Sequence, residues 1–165
     1  MWGEGDREGN FLSHLYRIYH IPERRVKICN AHGGDPEAQI RQMINYYSIY
    51  SYDEKYALFD LDRGGEPVQK AKQLAESFDI ICIVSDRSLE IELIKIITND
   101  PKILKRSKKS SKEAKKVFAE LCKLKNIDDD VEWDKYFKRD ILEKAKSDTN
   151  WLKRLISVIR PGEYI

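Results

Sequence analysis

Apolar residues recur along this chain at two periods, and the alternation between them predicts its elements. Phe11, Leu12, Leu15, Tyr16, Ile18 and Tyr19 return at helical spacing, so a helix runs from Asp6 and ends before Pro22. Residues 25–29 alternate apolar and polar positions and read as a strand. Ala31-His32-Gly33-Gly34 is a loop. Asp35 then offers a helix cap with Pro36 at the first helical position, and the helix continues to about Tyr47 with Ile40, Met43, Ile44 and Tyr47 inward. Residues 55–59, Lys-Tyr-Ala-Leu-Phe, form a short strand that feeds the acidic loop Asp60-Leu61-Asp62-Arg63-Gly64-Gly65. Pro67 opens the next helix, with Val68, Ala71, Leu74, Ala75 and Phe78 apolar. Residues 80–84, Ile-Ile-Cys-Ile-Val, are apolar throughout, as in a strand covered on both faces. Residues 89–97 read as a helix with few polar positions, and Met1-Trp2-Gly3 as a short strand entering a turn.

Strands alternating with helices imply βαβ units, hence an α/β fold with a mostly parallel sheet flanked by helices and right-handed crossovers. After Asp100-Pro101 the pattern changes. A basic, Ser-rich linker over 107–111 is followed by helices over 112–125, 133–146 and 151–159. Residues 1–100 are therefore expected to form the α/β core, and 101–165 a basic helical extension packed on it. Open parallel sheets bind ligands beyond the carboxyl ends of their strands. Those ends are the loops 3–6, 30–35, 60–65 and 85–88. They carry Glu4, Asp60, Asp62 and, just beyond, Glu90, acids far apart in sequence that such a sheet edge would gather.

Composition narrows the picture. A chain of 165 residues, 35% charged and 41% hydrophobic, suits one soluble domain with a proper core. The net charge is only +2, but Lys and Arg crowd the stretch 102–125 against Glu113 and Glu120 alone. An acidic pocket beside a basic surface is what metal-assisted chemistry on a polyanion requires. Cys29, Cys82 and Cys122 form no CxxC pair, which fits buried thiols in a reducing compartment. His14, His20 and His32 make no ligand pattern, no apolar run approaches the ~18 residues of a membrane span, and no signal peptide is expected. The cytoplasm is the expected location. The chain has no Walker A, GxSxG or GxGxxG motif.

Asp60 and Asp62 point the same way if strand geometry persists through them. Two such carboxylates repel, and a divalent cation relieves the cost. Mg²⁺ (or Mn²⁺) takes one or two carboxylates with waters and phosphate oxygens. The competing reading is a solvated acidic turn. Glu4, before Gly5, is a third ligand or a general base, with Glu8 one turn on; both would equally serve as favourable acids at a helix start. Glu90 is either a site acid or a residue of the capping turn after Ser85-Asp86-Arg87-Ser88, and Glu92 reads as a solvated helix position. Lys105, Arg106, Lys108, Lys109 and Lys112, with their lysine neighbours, would contact a phosphate backbone or simply form a solvated face. Asp128-Asp129-Asp130 lacks calcium-loop spacing. Tyr46, Tyr47, Tyr50 and Tyr52 suit a core or an interface better than base stacking.

Three segments, Glu4-Gly5-Asp6-Arg7-Glu8, Phe59-Asp60-Leu61-Asp62-Arg63 and Ser85-Asp86-Arg87-Ser88-Leu89-Glu90, resemble in order the Toprim-type phosphotransfer fold, and within it the RloB-like proteins found with bacterial defence and restriction loci. The resemblance covers about residues 3–98. It departs where Asp86-Arg87 stands in place of Asn-Pro and Leu89 in place of Phe. It implies that Asp60, Asp62 and Glu4 hold Mg²⁺, and that Glu4, Glu8 and Glu90 are the acids from which catalysis is drawn.

The function expected is a metal-dependent nuclease cleaving DNA or RNA in antiviral defence, with nucleic acid as partner, an ATPase or a second copy of the chain as further partners, and no membrane. The alternative from another class is a non-catalytic partner or sensor subunit of a defence ATPase that keeps the fold. A receiver-like phosphoacceptor is a third reading, but it needs a Lys after the last strand, and Lys95 comes late and within a helix.

Overall fold

The structure is a computed structural model, and it describes residues 1–31, 33–60, 65–85 and 87–161. By their contacts these form two compact units, Met1–Ser85 with Arg154–Ile165, and Asp86–Lys153.

The first unit carries the sheet. Strands β1 (Trp2–Gly3), β2 (Cys29–Asn30), β3 (Lys55–Asp60) and β4 (Ile80–Ser85) lie in the order β2-β1-β3-β4, every pair parallel. This is the expected α/β architecture, an all-parallel sheet flanked by helices and consistent with a Toprim-like arrangement. Helices α1 (Asp6–Tyr19), α2 (Pro36–Ile49) and α3 (Gly65–Glu76) are the flanking elements of this unit. Trp2, Ala57, Phe59 and Ile80 share one buried cluster with Ile40 and Met43 of α2 and Ala71 and Ala75 of α3. Side chains alternate along a strand, so Gly3, Leu58, Asp60, Ile83 and Ser85 belong to the other face. That face receives α1. A Cβ built on Gly3 would lie 2.9 Å from both Glu8 Cβ and Gly9 N, so only glycine lets the helix come this close to β1.

The strand expected over 25–29 is realised only at Cys29–Asn30. β2 pairs with β1 alone, through Trp2↔Cys29 and Gly3↔Asn30, so residues 25–28 have no neighbouring strand to complete a ladder. The short first strand is nonetheless central, bonded to β2 on one side and β3 on the other.

The second unit is helical. It holds α4 (Leu89–Ile97), α5 (Pro101–Ser107), α6 (Ser111–Leu121), α7 (Trp133–Tyr136), α8 (Arg139–Lys146) and the start of α9 (Asn150–Ile159), whose remainder belongs to the first unit. α4 packs on α5, α6 and α8, around buried Leu93, Ile94, Val117, Phe118, Phe137 and Leu142. Two expectations are corrected here. Residues 101–107, assigned to no helix, form α5, capped by Asp100, whose carboxylate accepts from Lys102 N at 2.8 Å. The single helix expected over 133–146 is broken at Phe137, which is wholly buried against Phe118 and Trp133. Among the described residues no helix is long and apolar enough to cross a membrane.

Candidate functional site

β1 is followed in the chain by β2 on one side of it and flanked by β3 on the other. The strand order therefore reverses between β1 and β3, and in open parallel sheets the crevice at such a point, at the carboxyl ends, is where ligands bind. Glu4 leaves β1 at this edge and Asp60 ends β3 there.

The two acids are in contact across the crevice. Asp60 N donates to Glu4 Oε2 at 3.4 Å. Asp60 is only 8% exposed, and its Oδ1 accepts from Ser85 Oγ at 2.8 Å, from the residue opposite it in the β3–β4 register. Ser85 is wholly buried. A buried hydroxyl on a buried carboxylate holds the acid in one rotamer. Glu4 is held from its backbone as well: its carbonyl accepts from Gly33 N at 2.7 Å, so the loop after β2 closes onto the turn after β1. Sequence reasoning placed Ser85 in a strand-end loop but gave it no role in the site. Its signal was its place one residue past an apolar strand that pairs with β3, which only the register reveals.

The other acids fall elsewhere. Glu8 is buried, and its Oε2 accepts from Gly5 N at 2.9 Å, the third helical residue bonding back to the cap of α1. That bond shapes the turn that carries Glu4. Asp62 lies outside the described residues, as do Asp86 and His32. Glu90 sits in the first turn of α4, in the second unit, buried at 5% exposed. Glu92, expected as a solvated position, is 3% exposed; it accepts from Lys95 Nζ at 2.7 Å and Trp151 Nε1 at 3.4 Å. The reason is that α4 is buried continuously from Leu89 to Ile94, so an acid at this position must find internal partners.

In the second unit Lys105, Lys108, Lys109 and Lys112 are exposed, with Lys102, Lys115 and Lys116 beside them in sequence. Arg106 differs. Its Nη1 and Nη2 bond Glu120 at 2.7 and 2.6 Å and its Nε bonds Glu113 at 2.9 Å, so it fastens α5 to α6. These bonds hold the Glu120 carboxyl below the usual carboxylate range and raise the guanidinium further. Both acids of this stretch thus bond Arg106, while Lys105, Lys108, Lys109 and Lys112 stay exposed.

The oxygen-only pair Glu4 and Asp60 suits a hard divalent cation. Among the described residues no three His, Cys, Asp or Glu side chains gather to hold a metal ion; Asp62, two residues beyond Asp60, is not among them. Comparison with known proteins found no matching family model, curated protein or solved structure.

Proposed function

We propose that this chain is a metal-dependent nuclease whose centre lies at the carboxyl edge between β1 and β3. The observation that carries the reading is the bond from Asp60 N to Glu4 Oε2, which brings two acids 56 residues apart onto one crevice at the point of strand reversal. Glu4 and Asp60, with Asp62 following, are the residues that would hold Mg²⁺, a cation needing only one or two carboxylates beside water and phosphate oxygens. When bound, the ion supplies polarisation of the phosphodiester and a more acidic water. The chain's own part is positional. Ser85 fixes the Asp60 carboxylate, Gly33 and Asp60 fix Glu4, and Glu8 fixes the turn that carries Glu4. The exposed lysines of α5, α6 and their connection would track the phosphate backbone. Three free thiols support a reducing, cytoplasmic setting.

The test is cleavage of single- and double-stranded DNA and RNA with and without Mg²⁺, by the wild type and by Asp60→Ala combined with Asp62→Ala. The reading expects Mg²⁺-dependent cleavage that the double variant loses. Cleavage unchanged in the variant overturns it. If calorimetry shows no Mg²⁺ or Mn²⁺ binding, the non-catalytic partner role takes its place.

A further inference from the structure

A second cleft, of about 690 Å³, opens at the other end of the sheet. Part of its lining precedes or begins strands: the segment 24–27 left without a strand partner, Cys29 at the start of β2, and Glu54 and Tyr56 beside the start of β3; Tyr46 and Tyr47 of α2 and Val158 of α9 line it too. β3 separates this end from Asp60 by roughly 17 Å, at about 3.3 Å per residue.

Three kinds of chemistry meet there. Rings come first. Tyr52 lies near-parallel to Tyr46, with centroids 6.3 Å apart and planes 24° apart, and Tyr47 stands edge-on to Tyr52 at 5.2 Å. A hydrogen bond with Tyr52 raises the Tyr46 phenol and burial raises that of Tyr47, so both rings stay uncharged. Cations come second. Arg24 is tied to Glu54, which also accepts from Tyr56 Oη at 3.0 Å. Arg25 and Lys27 are exposed at the rim and enter no ion pair among the described residues. Third, the exposed carboxylates of Glu23 and Asp53 also line the cleft.

We propose that this cleft is a separate ligand site for a nucleoside monophosphate. The base lies against the Tyr47 and Tyr52 rings, since stacking on aromatic side chains accepts any base. The ribose hydroxyls donate to the rim carboxylates, and Arg25 and Lys27 hold the phosphate. The volume lies within the 300–1,000 Å³ common for small-molecule sites. Inorganic phosphate would use only the cations, and a nucleoside only the rings and carboxylates. A nucleotide uses all three. The proposal does not rest on the metal centre.

The experiment is calorimetric titration of the full chain, in EDTA and at low ionic strength, with AMP, GMP, CMP and UMP, alongside inorganic phosphate and adenosine. At least one monophosphate is expected to bind at one site per chain, at least tenfold more tightly than phosphate or adenosine. Arg25→Ala with Lys27→Ala, two exposed positions, is expected to weaken it tenfold or more, and Tyr52→Ala likewise, with circular dichroism unchanged. Asp60→Asn is expected to bind as the wild type does. No binding at millimolar nucleotide, affinity no better than phosphate alone, full binding by the Arg25/Lys27 variant, or loss of binding in Asp60→Asn would each overturn the proposal.

Discussion

Ser85 Oγ donates to Asp60 Oδ1 at 2.8 Å across two strands whose register pairs these residues. Both are buried, so water does not readily replace the hydroxyl when it is removed. Ser85→Ala should cost about 1–3 kcal/mol, the usual penalty for a buried polar group losing its partner. Urea unfolding of the two proteins measures it, and equal midpoints would mean that other contacts already fix the Asp60 carboxylate. If the proposed metal site is correct, the same variant also binds Mn²⁺ more weakly.

Gly9 brings α1 against Asn30, the last residue of β2. A Cβ built there would lie 1.5 Å from Asn30 Oδ1 and 2.3 Å from Asn30 Cγ. Asn30 also donates to Asp6 Oδ1 at 3.4 Å, so turning its side chain aside gives up that bond. Gly9→Ala should destabilise the chain by about 1–3 kcal/mol despite alanine's better helix propensity. Adding Asn30→Ala should recover part of that loss in the same unfolding assay. A stabilised single variant would contradict the packing.

Arg106 and the lysines around it should separate experimentally. Arg106→Ala breaks the bonds to Glu113 and Glu120 and should lower the melting temperature, by less in 1 M salt because the pair is screened. Lys105→Gln, Lys108→Gln, Lys109→Gln and Lys112→Gln should leave the melting temperature unchanged. On the proposed function each lysine that contacts phosphate should instead reduce the slope of log affinity against log salt by about 0.9 for duplex DNA. A slope unaffected by all four would place the phosphate contacts elsewhere.

Burial pushes the Cys82 thiol up to about 11 from an ordinary value of 9.0. The folded chain then holds this proton more tightly than the unfolded one. The stabilising contribution is complete below pH 9 and fades as pH rises toward 11. Stability of the wild type should fall faster than that of Cys82→Ala between pH 9 and 10. At pH 8 iodoacetamide should label Cys82 roughly a hundredfold more slowly than an ordinary thiol, because the thiolate is the nucleophile. Rapid labelling, followed by mass spectrometry, would contradict the burial.

Some elements were legible because their cause is local. Asp35-Pro36 announces its helix, and Asp35 Oδ2 accepts from Glu37 N and Ala38 N as such a cap must. Asp100-Pro101 is the same signature and starts α5, whose seven residues are too few for apolar periodicity to mark it as a helix. Other features had no local cause. The strand over 25–29 shrank because its length depends on β1, not on its own alternation. Glu92 looked solvated because one polar residue on an apolar helix does not reveal that Trp151, 59 positions away, will reach it.

By itself, then, the sequence determined the alternation of strands and helices, the mostly parallel sheet that follows from it, and the presence of acids where strands end. These follow from periodicity and capping, which act within a few residues. Tertiary structure alone decided the sheet order, and with it which ends meet: Glu4 reaches Asp60 only because β3 lies beside β1, and Ser85 reaches Asp60 only because β3 and β4 are in that register. Pairing and register are set by burial summed over the whole sheet, and no short window of sequence contains that sum.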